Sequence, residues 1–132
     1  MGLEALSRGA TTCVFFERDR LALGALRDNI GALGAESRAT VVPGDAWRLA
    51  ATWDEPPFGL IFLDPPYHDS RDASEGGLVR TFLRKLRDHG PALPVVVLHH
   101  PAGIEFRTDT TSDWRVMDRR DYGTNGVTIF NA

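Results

Sequence analysis

Continuous apolar runs separated by segments of helical period constrain this chain more than any other feature. Residues 11–17 (TTCVFFE), 39–42 (ATVV), 58–63 (FGLIFL) and 94–98 (PVVVL) are rich in β-branched, aromatic and aliphatic side chains. None alternates apolar with polar, as a strand with one wet face would, so they predict strands buried on both sides. Between them the apolar residues recur every three or four positions. Leu23, Leu26, Ile30 and Leu33 form one stripe behind a capping Asp19, with Gly34 as the stop. Residues 45–51 predict a helical turn or short helix. Residues 75–88 predict a helix whose core face is Leu78, Phe82, Leu83 and Leu86, ended by Gly90-Pro91. The tail is different: residues 114–122 and 127–130 flank Gly123-Thr124-Asn125-Gly126, and Asn-Gly between strand-like runs signals a hairpin.

Strands alternating with helices predict an α/β fold with a mostly parallel, Rossmann-like sheet covered on both faces and finished by an antiparallel hairpin. A length of 132 residues suits one domain, and no linker, repeat or low-complexity stretch divides it. No apolar run approaches the roughly 20 residues needed to cross a bilayer. The N-terminus lacks a basic-then-apolar export signal, and the single cysteine, Cys13, has no internal partner, which fits a reducing cytoplasm. Cys13 lies in an apolar run and reads as a packed thiol, not a nucleophile. The net charge of −3 provides no general attraction to a polyanion, so nucleic acid would need local basic patches. Arg80, Arg84, Lys85 and Arg87 form one candidate, and Arg115, Arg119 and Arg120 another; each taken alone reads more readily as a solvated face.

Ligands of such sheets bind beyond the carboxyl ends of the strands, and three of those ends carry acids. The first strand ends at Glu17, the second is followed by Gly44-Asp45-Ala46, and the third runs into Asp64-Pro65-Pro66-Tyr67. Glu17 is placed to accept hydrogen bonds from ribose hydroxyls. Asp45 reads equally as a helix cap or as an acceptor for an adenine amino group. Asp-Pro-Pro-Tyr is far more specific. Its two prolines hold the backbone extended and remove two donors, leaving carbonyl oxygens outward. Asp64, the Pro65 carbonyl and the Tyr67 ring together make a clamp for a planar base with an exocyclic amine. Holding that amine beside an electrophile can lower a barrier by ~7–11 kcal/mol in well-oriented systems.

Residues 1–10 (MGLEALSRGA), 14–19 (VFFERD), 42–46 (VPGDA) and 60–67 (LIFLDPPY) together resemble the bacterial 16S ribosomal RNA guanine-N2 methyltransferases of the RsmD type, over most of the chain. The resemblance implies a class I S-adenosylmethionine methyltransferase sheet and S-adenosyl-L-methionine as cofactor, without a metal. It implies that Glu17 with Arg18 meets the cofactor ribose, and Asp45 with Ala46 its adenine. Asp64, Pro65, Pro66 and Tyr67 would be the catalytic block, Asp64 also adjoining the cofactor and Tyr67 facing the target guanine. His68, Arg119 and Arg120 are the further candidate contacts to the RNA partner, which is ribosomal RNA or the small ribosomal subunit. The same four-residue block occurs in adenine-N6 methyltransferases, so the motif alone does not choose the base. A second reading is a truncated or degenerate relative that binds RNA or a partner protein without catalysis.

The sequence departs from the family pattern twice. In the family a strand ending in a glycine-rich loop precedes the Gly-Leu-Glu-Ala-Leu helix, whereas here Met1 falls inside that motif. The reading is of an N-terminally truncated domain, with Met1 an internal methionine of a longer protein. The missing strand would lie between the strands at 11–17 and 58–63, leaving sheet edges that favour self-association. The second departure is His99-His100 where the family usually places an acid. Adjacent residues of a strand face opposite ways, so the pair makes a poor joint metal site. They read as partly solvated strand-end residues, with one able to face the base. No role is assigned to His89, and Tyr122 with Gly123 and Thr124 reads as a structural hairpin.

Overall fold

The computed structural model describes residues 1–49, 58–88, 93–107 and 114–131. The chain divides into two compact units, Met1–Thr52 and Trp53–Ala132. His89 lies outside the described residues, as do the last two positions of the helix predicted over 45–51.

The first unit contains α1 (Gly2–Ser7), β1 (Cys13–Glu17), α2 (Arg20–Ala32), β2 (Ala39–Pro43) and α3 (Ala46–Leu49). β1 and β2 pair in parallel from Cys13 opposite Ala39 to Glu17 opposite Pro43, with α2 as the crossover. Asp19 caps α2 as predicted, its Oδ1 accepting from the amides of Leu21 (2.9 Å) and Ala22 (2.8 Å). Gly34 ends the turn at φ 59°. Leu23 and Ile30 are buried and Leu26 half-buried, but Leu33 is 64% exposed. Leu33 is the C-cap of α2, one residue past its last helical position, Ala32. Leu6, Ile30 and Ala35 form the core of this unit, with Phe15, Leu26 and Val41 packed against them.

The second unit contains β3 (Leu60–Leu63), α4 (Tyr67–Ser70), α5 (Leu78–Asp88), β4 (Val95–Pro101), β5 (Arg115–Tyr122) and β6 (Asn125–Asn131). Its sheet runs β3-β4-β6-β5. Here the expectation of a mostly parallel sheet is corrected, since only β3–β4 is parallel and both β6 ladders are antiparallel. The reason is local: Gly123, at φ 59°, lets β5 turn back within two residues, and β6 then lies along β4 from Val96 to Pro101. β4 itself continues past Leu98 through His99, His100 and Pro101, because β6 offers it partners out to Asn125.

Two further expectations are revised. β1 is half-buried at all five positions, and β3 exposes Leu60 (47%) and Phe62 (37%) instead of being buried on both faces. Among the described residues β1 pairs only with β2 and β3 only with β4, so each keeps an open edge. α5 starts at Leu78, three residues later than predicted. The Gly77 amide donates to the Ser74 carbonyl (3.0 Å), and the Ser74 amide to Asp72 Oδ1 (3.0 Å), so a tight turn occupies residues 74–77. Phe82, Leu83 and Leu86 are buried as predicted, but Val79 takes the place expected of Leu78, which opens the helix 44% exposed; Trp114 donates from Nε1 to the Leu83 carbonyl at 2.9 Å. No helix among the described residues is long and apolar enough to cross a membrane.

Candidate active site

In the first unit the acids lie where the strands end. One oxygen of Glu17, Oε1, accepts from the amides of Arg18 and Asp19, both at 2.8 Å. This folds the carboxylate back over the β1–α2 turn and fixes its direction. Oε2 has no hydrogen bond among the described residues and remains an acceptor for a hydroxyl. Asp45 does cap its helix, Oδ1 accepting from the Trp47 amide at 3.0 Å. Its other oxygen has no partner among the described residues, so capping and ligand binding are compatible. Arg18 is exposed, and Ala46 opens α3 half-buried. Burial raises the Cys13 thiol above its ordinary pKa, in keeping with a packed side chain.

In the second unit β3 delivers Asp64 to the sheet edge, and the prolines carry the chain into α4. Pro66 is extended (φ −51°, ψ 143°), and its carbonyl accepts from the Asp69 amide at 2.9 Å, so residues 67–70 form a helical turn. Tyr67 is the first residue of that turn. Its hydroxyl donates to Asn125 Oδ1, and its ring meets the His99 ring edge-on, with centroids 5.7 Å apart and planes at 69°. His99 donates from Nδ1 to Asp64 Oδ1 at 2.7 Å, and its Nε2 lies 3.0 Å from Asn125 Oδ1. Asp64, Tyr67, His99 and Asn125 thus form one polar cluster drawn from β3, α4, β4 and β6. The bond to Asp64 is the main reason the His99 ring titrates above its ordinary value; slight burial opposes it and Asn125 adds to it. The Asp64 side chain is 58% exposed, and Oδ2 has no hydrogen bond among the described residues.

The two adjacent histidines do face opposite ways. His99 is partly exposed, as read from the sequence, whereas His100 is fully buried, correcting the expectation of solvation for both. His100 donates from Nδ1 to the Pro101 carbonyl (2.8 Å) and accepts at Nε2 from the Thr128 hydroxyl (2.8 Å). Burial pushes its pKa below the ordinary value. Of the candidate RNA contacts, His68 is 75% exposed and pairs with Asp69 at 2.8 Å. Arg119 pairs with Glu105 (3.3 Å) and Asp121 (3.0 Å), and Arg120 with Asp118 (2.8 Å). A phosphate would therefore compete with carboxylates for both guanidinium groups. Among the described residues no group of histidine, cysteine and acidic side chains could hold a metal ion.

Sequence reasoning missed His99 and Asn125 as members of one cluster. The signal was partial: an acidic strand end and a histidine strand end are recognisable singly, but only the register of β3, β4 and β6 brings them together.

An α/β chain with acids at successive strand tips and an Asp-Pro-Pro-Tyr corner belongs to the class I methyltransferase fold. The crystal structure of a candidate methylase, HI0767, from Haemophilus influenzae shares that fold, with a TM-score of 0.75 at 21% identity, over 98% of this chain and 77% of that one. The family model described as Conserved hypothetical protein 95 matches residues 1–131, and the chain belongs to that family, which is the RsmD-type methyltransferase family resembled by its motifs. The chain is 33% identical over 132 residues to YlbH of Bacillus subtilis (strain 168), named as a candidate rRNA methyltransferase, covering 98% of this chain and 68% of YlbH. It is 34% identical over 70 residues to the ribosomal RNA small subunit methyltransferase D of Haemophilus influenzae, covering 52% of this chain and 36% of that protein.

Proposed function

We propose that this chain belongs to a cytoplasmic enzyme that methylates the exocyclic 2-amino group of a guanine in small-subunit ribosomal RNA, with S-adenosyl-L-methionine as donor. The names of its relatives support ribosomal RNA methylation. The choice of the guanine amine rests on the motif resemblance. The donor sets fit the cofactor: Glu17 Oε2 suits ribose hydroxyls, and Asp45 suits an adenine amino group, with Arg18 and Ala46 beside them. When bound, the cofactor supplies an electrophilic methyl group on a sulfonium.

The chain's own residues have the other half of the task. Asp64 accepts a hydrogen bond from the target amine and the Pro65 carbonyl takes a second, while Tyr67 lies against the ring and Pro66 holds the corner rigid. Orienting the amine in this way, more than activating it chemically, is what the clamp contributes. His68, Arg119 and Arg120 are the proposed RNA contacts. The observation that carries the reading is the exposed Asp64 carboxylate at the tip of β3, with one oxygen held and the other open.

The test combines calorimetry with transfer of a labelled methyl group to small-subunit RNA. The wild-type chain should bind S-adenosylmethionine and label the RNA, and Asp64→Ala should abolish labelling with cofactor affinity nearly unchanged. Full labelling by Asp64→Ala refutes the assignment, and no cofactor binding at millimolar ligand favours a non-catalytic relative.

A further inference from the structure

We infer that His99 and Asn125 form a positioning brace behind the Asp-Pro-Pro-Tyr clamp, holding Asp64 and Tyr67 in the orientation that receives the base. The inference rests on the methyl-transfer reading above. Asp64 alone is a half-exposed side chain, free to turn about its terminal torsion. His99 occupies Oδ1 at 2.7 Å, which directs Oδ2 as the acceptor for an amine. The same ring meets Tyr67 edge-on, and Asn125 ties down the Tyr67 hydroxyl. Both clamp side chains are therefore fixed by residues that lie outside the clamp, on β4 and on the first position of β6.

The proton inventory of the cluster sets the charge on the brace. Asn125 Oδ1 faces the Tyr67 hydroxyl and His99 Nε2, and the ionised Asp64 can only accept. Both nitrogens of His99 thus meet acceptors, which suits an imidazolium donating at each. That charge sits directly against the Asp64 carboxylate, and the upward shift of the ring agrees with it. The groups facing His99 are Asp64 from the end of β3, the Tyr67 phenol from α4 and the Asn125 amide from β6. On α4 Asp69 is paired with His68, and on β4 the neighbouring His100 turns into the core. Nothing in this role requires His99 to touch the substrate. It acts through Asp64 and Tyr67.

Two measurements on the full chain test the brace. In the first, nitrogen-detected NMR follows the imidazole of His99 through a pH titration. The ring should titrate above the ordinary histidine value and fall back toward it in Asp64→Asn; a ring that titrates at the ordinary value and ignores that substitution overturns the proposal. In the second, methyl transfer is measured against pH. His99→Ala should lower kcat on the order of 10–100-fold, the range expected from a misplaced reacting group, with cofactor Kd unchanged. His99→Gln, which keeps a donor toward Asp64, should recover part of that loss. The alkaline decline of the wild-type profile, where His99 loses its proton, should vanish in both variants. Full kcat in His99→Ala sinks the brace while leaving the enzyme reading intact. A wild-type chain that transfers no methyl group at all sinks the enzyme reading instead, and Asp64→Asn then judges the brace by titration alone.

Discussion

Thr128→Val is the sharpest test of how the second unit is held together. Thr128 and His100 are both fully buried, and the hydroxyl donates to His100 Nε2 at 2.8 Å. The opposite ring nitrogen is committed to the Pro101 carbonyl, also at 2.8 Å, so the tautomer has a proton on Nδ1 and a bare lone pair on Nε2. Valine has almost the shape of threonine and leaves no cavity, but removes the donor. A buried acceptor without a partner costs about 1–3 kcal/mol. Protonating Nε2 offers no escape, because the variant also lacks an oxygen to receive that proton, and burial already disfavours the charged ring. Urea unfolding of the full chain at neutral pH, read by circular dichroism, measures the loss as a lower midpoint at unchanged slope. A variant within about 0.5 kcal/mol of the parent, the ordinary scatter of surface substitutions, would refute the hydrogen-bond assignment and the tautomer with it.

The remaining predictions concern the turns that place the helices. Gly77→Ala should be poorly tolerated, because a Cβ there would stand 2.2 Å from the Asp72 carbonyl oxygen, a backbone atom that cannot move alone. A loss of about 1–3 kcal/mol is expected, and an unchanged melting temperature would contradict it. Asp19→Ala removes the acceptor for the Leu21 and Ala22 amides and should destabilise the first unit by about 1 kcal/mol. Asp19→Asn, which keeps an acceptor, should restore most of the loss in the same unfolding assay.

What could be read from the sequence was mostly chemistry confined to a few neighbouring residues. Asp19 announces a helix start because its side chain reaches amides two and three residues on. Gly34 marks a helix stop because it adopts positive φ, whereas the expected hairpin turns at Gly123-Thr124 and the Asn125-Gly126 pair that signalled it lies in β6. The Asp-Pro-Pro-Tyr corner is legible for the same reason, since prolines constrain their own backbone. Burial was less legible. The run Cys13–Glu17 looks fully buried by composition, but burial depends on which strands flank it, and that is not a property of the run. The candidate brace was hidden for the same reason. His99 lies 35 residues from Asp64 and 26 from Asn125. Their meeting follows from Leu63 pairing with Leu98 and Pro101 with Asn125 across two ladders. Histidine, asparagine and aspartate are ordinary strand-end and turn residues until that register is known.

The adjacency of His99 and His100 has a consequence for how this unit responds to acidity. Both start from the ordinary histidine value near 6.5, but one has been moved up and the other down. His99 contributes stability in its charged form; the contribution is whole below 6.5 and drains away as the solution becomes alkaline through its raised value. His100 contributes in its neutral form, whole above 6.5 and eroded as the solution turns acid toward its lowered value. One peptide link therefore joins an alkaline limit to an acid limit. The native arrangement, with one imidazole charged beside a carboxylate and the next uncharged in the core, is best populated in the interval between them, which contains the ordinary histidine value of 6.5.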